Sequence, residues 1–264
     1  MPDSPPRPPD ALQLDGPPAR RIARAPAGPL GQVGLALAWL LAALAGAGIT
    51  GALVMLAAAK IWRQDVGFTD GAFIWPSCAA FQLITLVAAL RRAGRVGAGS
   101  RRAGAGWLPV ARGRLVVLLA VLGAAFNPAL AVLAQLVPAY QDFAQRTLQE
   151  TPLDQDGSLA GYALGCIAFF AIGAPVTEEL FFRGWLWVAL RRRWGAWATG
   201  GTTGLLFLLA HAAAGWTYLL MLVPVVALVT WAREAGGSVR ASLLVHLAVN
   251  AVAVAFMVAE RWAG

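Results

Sequence analysis

Long apolar stretches alternate with short polar breaks along the whole chain. The apolar runs cover Gln32–Ala59, Gly71–Leu90, Leu115–Val137, Leu159–Leu190, Trp197–Ala213, Trp216–Trp231 and Ser238–Ala259. A membrane-crossing helix needs about 20 predominantly apolar residues. Five of the seven runs meet that length, while the fifth and sixth, about 17 residues each, are short enough to tilt differently or to be partly re-entrant. No run shows the apolar–polar alternation over about ten residues that marks a barrel strand, and no internal repeat is visible. The pattern predicts an all-α fold, a polytopic membrane helical bundle of about seven transmembrane helices. Residues 1–31 are polar and hold nine of the 16 prolines, so they are expected to form a disordered, Pro-rich cytoplasmic tail. Residues 32–158 form N-terminal transmembrane spans and loops, and residues 159–264 a C-terminal transmembrane core.

Composition agrees with the pattern. The 264 residues are 59% hydrophobic and 13% charged, against about 25% charged in soluble domains, and disorder or a disulfide-built secreted scaffold is excluded for most of the length. Cys78 and Cys166 both lie in apolar runs without metal-ligand spacing. The net charge of +8 would suggest nucleic acid in a soluble protein, but 20 of the 21 cations are Arg and most sit in short clusters between spans. With the tail inside, seven crossings put 16 cations on the cytoplasmic side and four (Lys60, Arg63, Arg146 and Arg261) outside, a strong positive-inside bias. The partner this implies is a lipid bilayer, not nucleic acid, with the N-terminus cytoplasmic and the C-terminus outside. The Arg-over-Lys bias and the Ala/Gly richness point to a bacterial cytoplasmic (inner) membrane.

Ionisable groups inside a bilayer are costly and mark function by default. Eleven of the 13 acids lie in the tail, in loops or at the chain end. The other two, Glu178 and Glu179, are adjacent in an apolar run, with Arg183 one turn later. Both histidines, His211 and His246, lie in apolar runs, and Asn250 follows His246 by four residues. The intramembrane ionisable groups therefore fall on three helices. On helical spacing, Glu179 and Arg183 share a face, while Glu178 points about 100° away and is free to meet another helix. His246 and Asn250 set an imidazole beside an amide. Phe207, one turn before His211, is either ordinary packing or a pocket wall, and Gly184 admits a close neighbour.

Two chemistries fit these residues. A carboxylate and a histidine can hold and deprotonate a water, with a second histidine and an amide donating to an oxyanion. Alternatively, two histidines and a glutamate can bind zinc, another carboxylate serving as base. A structural Glu–Arg pair, or a Glu/His proton relay in a proton-coupled transporter, would use the same residue types.

The strings Glu178-Glu179-x-x-x-Arg183, Phe207-x-x-x-His211 and His246-x-x-x-Asn250, with the surrounding APVTEELFFRGWLW of Ala174–Trp187, resemble the three motifs of the CPBP intramembrane protease family. That family includes the type II CAAX prenyl proteases and the Abi-type bacteriocin-processing and immunity proteins. The resemblance covers about Leu159–Ala259 and implies an intramembrane endopeptidase whose substrate is a peptide or protein, C-terminal or membrane-associated. Carried over by position, it implies that Glu178 activates the water with His211 as partner. His246 and Asn250 would form the oxyanion site, and Glu179 and Arg183 would support the first helix. No cofactor is required by that arrangement, although zinc stays possible. The resemblance also leaves room for a non-catalytic immunity or scaffold protein that keeps the motifs.

Depth along the helices is the difficulty. At ~1.5 Å per residue, Glu178 lies about 20 Å from Arg191, while His246 lies only about 9 Å from Arg240. A shared site therefore demands tilted helices or arginines standing beyond the membrane face.

Overall fold

The computed structural model describes residues 28–62, 71–97, 100–136 and 158–263. Residues 1–27 of the expected tail and most of the acidic loop before Ser158 lie outside the described residues. Among the described residues eight helices follow one another: α1 (Pro29–Ala57, continued as π-helix over Ala58–Trp62), α2 (Gly71–Val96), α3 (Arg101–Gly104), α4 (Gly113–Leu136), α5 (Leu159–Arg191), α6 (Ala196–Ala210), α7 (Trp216–Gly236) and α8 (Val239–Ala263). No strand occurs among the described residues. The fold is a helical membrane bundle.

Among the described residues six helices are long and apolar enough to cross a membrane: α1, α2, α4, α5, α7 and α8. At most a third of any spanning window is buried against the protein. The outer faces carry exposed leucines and valines such as Leu41, Leu53, Val117 and Leu122, as a lipid-facing surface requires. Helix α1 starts at Pro29, a residue with φ pre-set for the first helical turn, three residues before the apolar run suggests.

The two short runs turn out unequal. The sixth extends to a 21-residue helix, ending where Gly237 takes a left-handed φ of +64°. The fifth is a helix of 15 residues, about 22 Å long at 1.5 Å per residue, which falls short of a hydrocarbon layer of about 30 Å. Its end is closed by a single 3₁₀ turn, Ala212–Ala214, and by Gly215 at φ +88°. His211 caps α6 and so sits at depth instead of at a membrane face.

Helix α5 runs unbroken for 33 residues although Pro175 lies inside it. Proline has no N–H to return to the carbonyl four residues back, and its ring crowds that carbonyl. The π-helical stretch Cys166–Gly173 ends just before Pro175 and opens the ladder there. A second π-helical stretch, Glu179–Leu186, carries Glu179 and Arg183 and packs against α2, α6 and α8. Such widened turns concentrate at functional sites. Amide side chains meet the carbonyls of the first stretch from both sides: Gln82 of α2 donates to Phe169 O (2.8 Å) and Asn250 of α8 to Phe170 O (2.8 Å).

The depth problem is resolved at the arginine-rich end. Arg233 Nε donates to Arg183 O (2.8 Å), Val239 N to Gly106 O (3.0 Å) and Ser238 Oγ to Leu108 O (2.6 Å). Helix α8 therefore begins against the segment that follows α3, inside the bundle, while α5 continues to Arg191. Widened π turns also advance less per residue than α turns, which draws Glu178 closer to that end.

Gly184 admits the chain just after α3 instead of a neighbouring helix. A β-carbon on Gly184 would stand 3.1 Å from Ala105 O. Gly184→Val is expected to cost about 1–3 kcal/mol through overpacking, read as a lowered melting temperature in detergent.

Candidate active site

Six polar side chains singled out in the sequence lie on α5, on α8 and at the end of α6, and five of them converge. Glu178 closes the α-helical segment Ala174–Glu178 of α5 and faces both histidines. Its Oε1 is 3.8 Å from His211 Nε2 and its Oε2 is 3.8 Å from His246 Nε2. These gaps exceed a direct hydrogen bond and leave room for a small molecule drawn to all three groups.

Glu179 turns the other way and is fully buried. Its Oε1 accepts from Arg183 Nη1 (3.1 Å) and from His246 Nδ1 (3.0 Å). The adjacent carboxylates thus do different work: Glu179 is the buried counter-ion of α5 and the anchor of His246, while Glu178, 13% exposed in its side chain, faces the open space.

The histidine tautomers follow from their partners. His211 Nδ1 lies 2.9 Å from Phe207 O; a carbonyl can only accept, so Nδ1 bears the hydrogen and neutral His211 turns a lone pair on Nε2 toward Glu178. For His246 the partner at Nδ1 is the Glu179 carboxylate, so Nδ1 donates there too.

Phe207 is central to the packing. Its ring stacks on His211 (centroids 4.6 Å apart), meets His246 edge-on at 5.9 Å, and lies under the Arg183 guanidinium at 4.6 Å. Arg183 is fully buried, and its Nε and Nη2 have no hydrogen-bond partner among the described residues. The aromatic face supplies part of the compensation as a cation–π contact. Asn250 is the sixth residue: one of its N–H groups is committed to Phe170 O, leaving the other to meet a ligand.

A cavity of about 40 Å³ opens beside the pair, its walls including Glu178, His211, Thr85, Leu40, Phe81 and Ala210. That volume suits one or two water molecules. Two neighbours of the site were not legible from the ionisable pattern. Thr85, which lines the cavity, is a neutral residue on α2, and Tyr218, whose ring lies 6.3 Å from that of His211, reads in sequence as an interfacial aromatic. Its scarcity, as one of only three tyrosines, is the one signal available.

Residues 160–252 match the family described as Type II CAAX prenyl endopeptidase Rce1-like. The C-terminal helices are similar to that family over this stretch. The match begins in the first turn of α5 and ends in α8 just past Asn250, so it contains all six polar site residues. The matched family is one of endopeptidases. No curated protein and no solved structure matches the chain.

Two histidines and a glutamate are ligand types of a zinc site. Among the described residues no group of three or more His, Cys, Asp or Glu is arranged to hold a metal ion. Glu179 is already engaged by Arg183 and His246, which leaves Glu178 and the two Nε2 atoms.

Proposed function

We propose that the Rce1-like domain hydrolyses a peptide bond near the membrane with a water held by Glu178 and His211, without a metal. The observation that carries this reading is the convergence of one semi-buried carboxylate on two imidazoles beside a water-sized cavity. Water donates its hydrogens to the Glu178 carboxylate and the His211 Nε2 lone pair, which aims its own lone pair at the scissile carbonyl. As the C–O bond forms, the proton passes to Glu178. Protonated His246, held by Glu179, donates from Nε2 to the oxyanion, and the remaining Asn250 N–H adds a second donor. When the intermediate collapses, the C–N bond breaks and Glu178 returns its proton to the leaving amine.

Arginines at the ends of α2, α5 and α7 and the starts of α4 and α8 support a cytoplasmic position for that end. By the same reading the C-terminus faces outward, in a bacterial inner membrane.

The test is cleavage of a synthetic peptide library by purified protein, with and without a strong zinc chelator. Cleavage at the same rate in chelator is expected. Loss in chelator, restored by zinc, would replace this reading with a metal-dependent one, and no cleavage by the folded wild-type protein would select a binding-only role.

A further inference from the structure

We propose that Tyr218 of α7 is a positioning residue of the site: its ring holds the imidazole of His211 in the rotamer that turns Nε2 toward Glu178. The proposal rests on the reading of Glu178 and His211 given above. Of the four ionisable groups around the reacting centre, His211 is the one that needs such a hold. Glu178, Glu179 and His246 lie within long helices, whereas His211 caps α6 with φ −100° and ψ 8°, outside the helical ladder. Helix ends fray, and Ala212, Ala214 and Gly215 beyond it are exposed. The His211 side chain is itself 25% exposed, against 5% for that of His246.

Two contacts on the imidazole come from α6, one turn back: the carbonyl of Phe207 at Nδ1 and the stacked Phe207 ring. They fix the side chain relative to its own helix end and move with it. The Tyr218 ring ties it to a second helix. Its centroid is 6.3 Å from that of His211, with the planes 33° apart, inside the roughly 4.5–7 Å over which aromatic rings attract one another. The connection makes this contact possible. After one 3₁₀ turn the chain passes Gly215 at φ +88°, a conformation that glycine adopts freely, and α7 starts at once, so its first turn brings Tyr218 back to the end of α6. Rings from two helices thus replace the ladder that the cap has lost. With the imidazole turned away, Nε2 no longer receives a hydrogen of the water, and Glu178 alone orients the nucleophile. The role belongs to the ring, and it bears on the chemical step and not on substrate binding.

The test uses the full-length protein with its ring nitrogens labelled. The chain holds two histidines, so nuclear magnetic resonance gives two sets of imidazole signals, assigned with His246→Gln. At alkaline pH the protonated Nδ1 and bare Nε2 of His211 are expected to be well separated in wild type and in Tyr218→Phe. In Tyr218→Leu and Tyr218→Met, which lack the aromatic ring, they are expected to draw together as the imidazole exchanges rotamers and tautomers, while the His246 signals stay in place. Unchanged His211 signals in both variants overturn the proposal. So does an equal disturbance of His246, which would make Tyr218 a packing residue of the whole bundle. On the library peptide cleaved fastest by wild type, Tyr218→Leu is expected to lower kcat by about three- to tenfold with KM unchanged, the loss of one ring–ring contact, and Tyr218→Phe to restore most of it. A loss in Tyr218→Phe as large as in Tyr218→Leu would assign the role to the hydroxyl and overturn the proposal. Glu178→Gln run in parallel separates the two levels: an active Glu178→Gln removes the reading beneath, whereas the histidine spectra decide by themselves whether Tyr218 holds His211.

Discussion

Glu178→Gln is expected to lower peptide hydrolysis by about 10²–10⁴-fold while leaving the thermal transition of the purified protein nearly unchanged. The amide keeps the size of the side chain but cannot take a proton from water. The fold loses little, because Glu178 has no guanidinium partner and faces the histidines across 3.8 Å gaps. Its partial exposure, 13% of the side chain, means that no fully buried charge is stranded by the change. Peptide cleavage by product mass spectrometry and unfolding by intrinsic fluorescence, measured on one preparation, check both halves. Wild-type turnover in this variant would remove Glu178 from the role of base.

One residue later the expected result is reversed. Glu179→Ala leaves Arg183 as a fully buried cation without its carboxylate and takes the anchor from His246. Removing one member of a buried pair costs about 3–5 kcal/mol, which at ~2–4 °C per kcal/mol lowers the melting temperature by roughly 10 °C. Arg183→Ala is expected to do the same and also strips the guanidinium from the Phe207 face. The double substitution Glu179→Leu with Arg183→Met removes both charges and is expected to recover much of the stability, since an apolar pair of similar volume often equals a buried ion pair. Activity stays low in the double variant because His246 has lost its carboxylate. A double variant as unstable as either single one would show that the two side chains act on the fold independently. By contrast, the Arg191–Glu234 pair at the arginine-rich end has both side chains 39% exposed and is expected to contribute less than about 1 kcal/mol.

The opposed outcomes at adjacent positions explain how much of the site could be read beforehand. Spacing placed Glu179 beside Arg183, because i, i+4 geometry is local to one helix, and it turned Glu178 toward a different neighbour for the same reason. It could not say that His246 takes both carboxylates, one at each ring nitrogen, since that depends on how far α8 is sunk against α5. The depth arithmetic failed on the assumption that arginine clusters mark one level. Arg240 belongs to a helix whose start is held inside the bundle by hydrogen bonds to Gly106 and Leu108. Asn250 was paired with His246 by spacing, but its amide also reaches a carbonyl in the widened first stretch of α5.

The amino-acid sequence by itself determined the all-helical membrane fold and the identity of the polar residues at its centre. Hydrophobic run length is a local property, and an ionisable side chain in an apolar run is conspicuous wherever it lies. It also carried the three motifs that tie residues 160–252 to a protease family. Only the tertiary structure decided that His246 meets both carboxylates, that α6 stops at His211 short of a full crossing, and that Thr85 and Tyr218 stand beside the site. These outcomes depend on the relative depth and rotation of separate helices, which inter-helix packing, π-helical turns and a few backbone hydrogen bonds set together. No periodicity within a single segment encodes them.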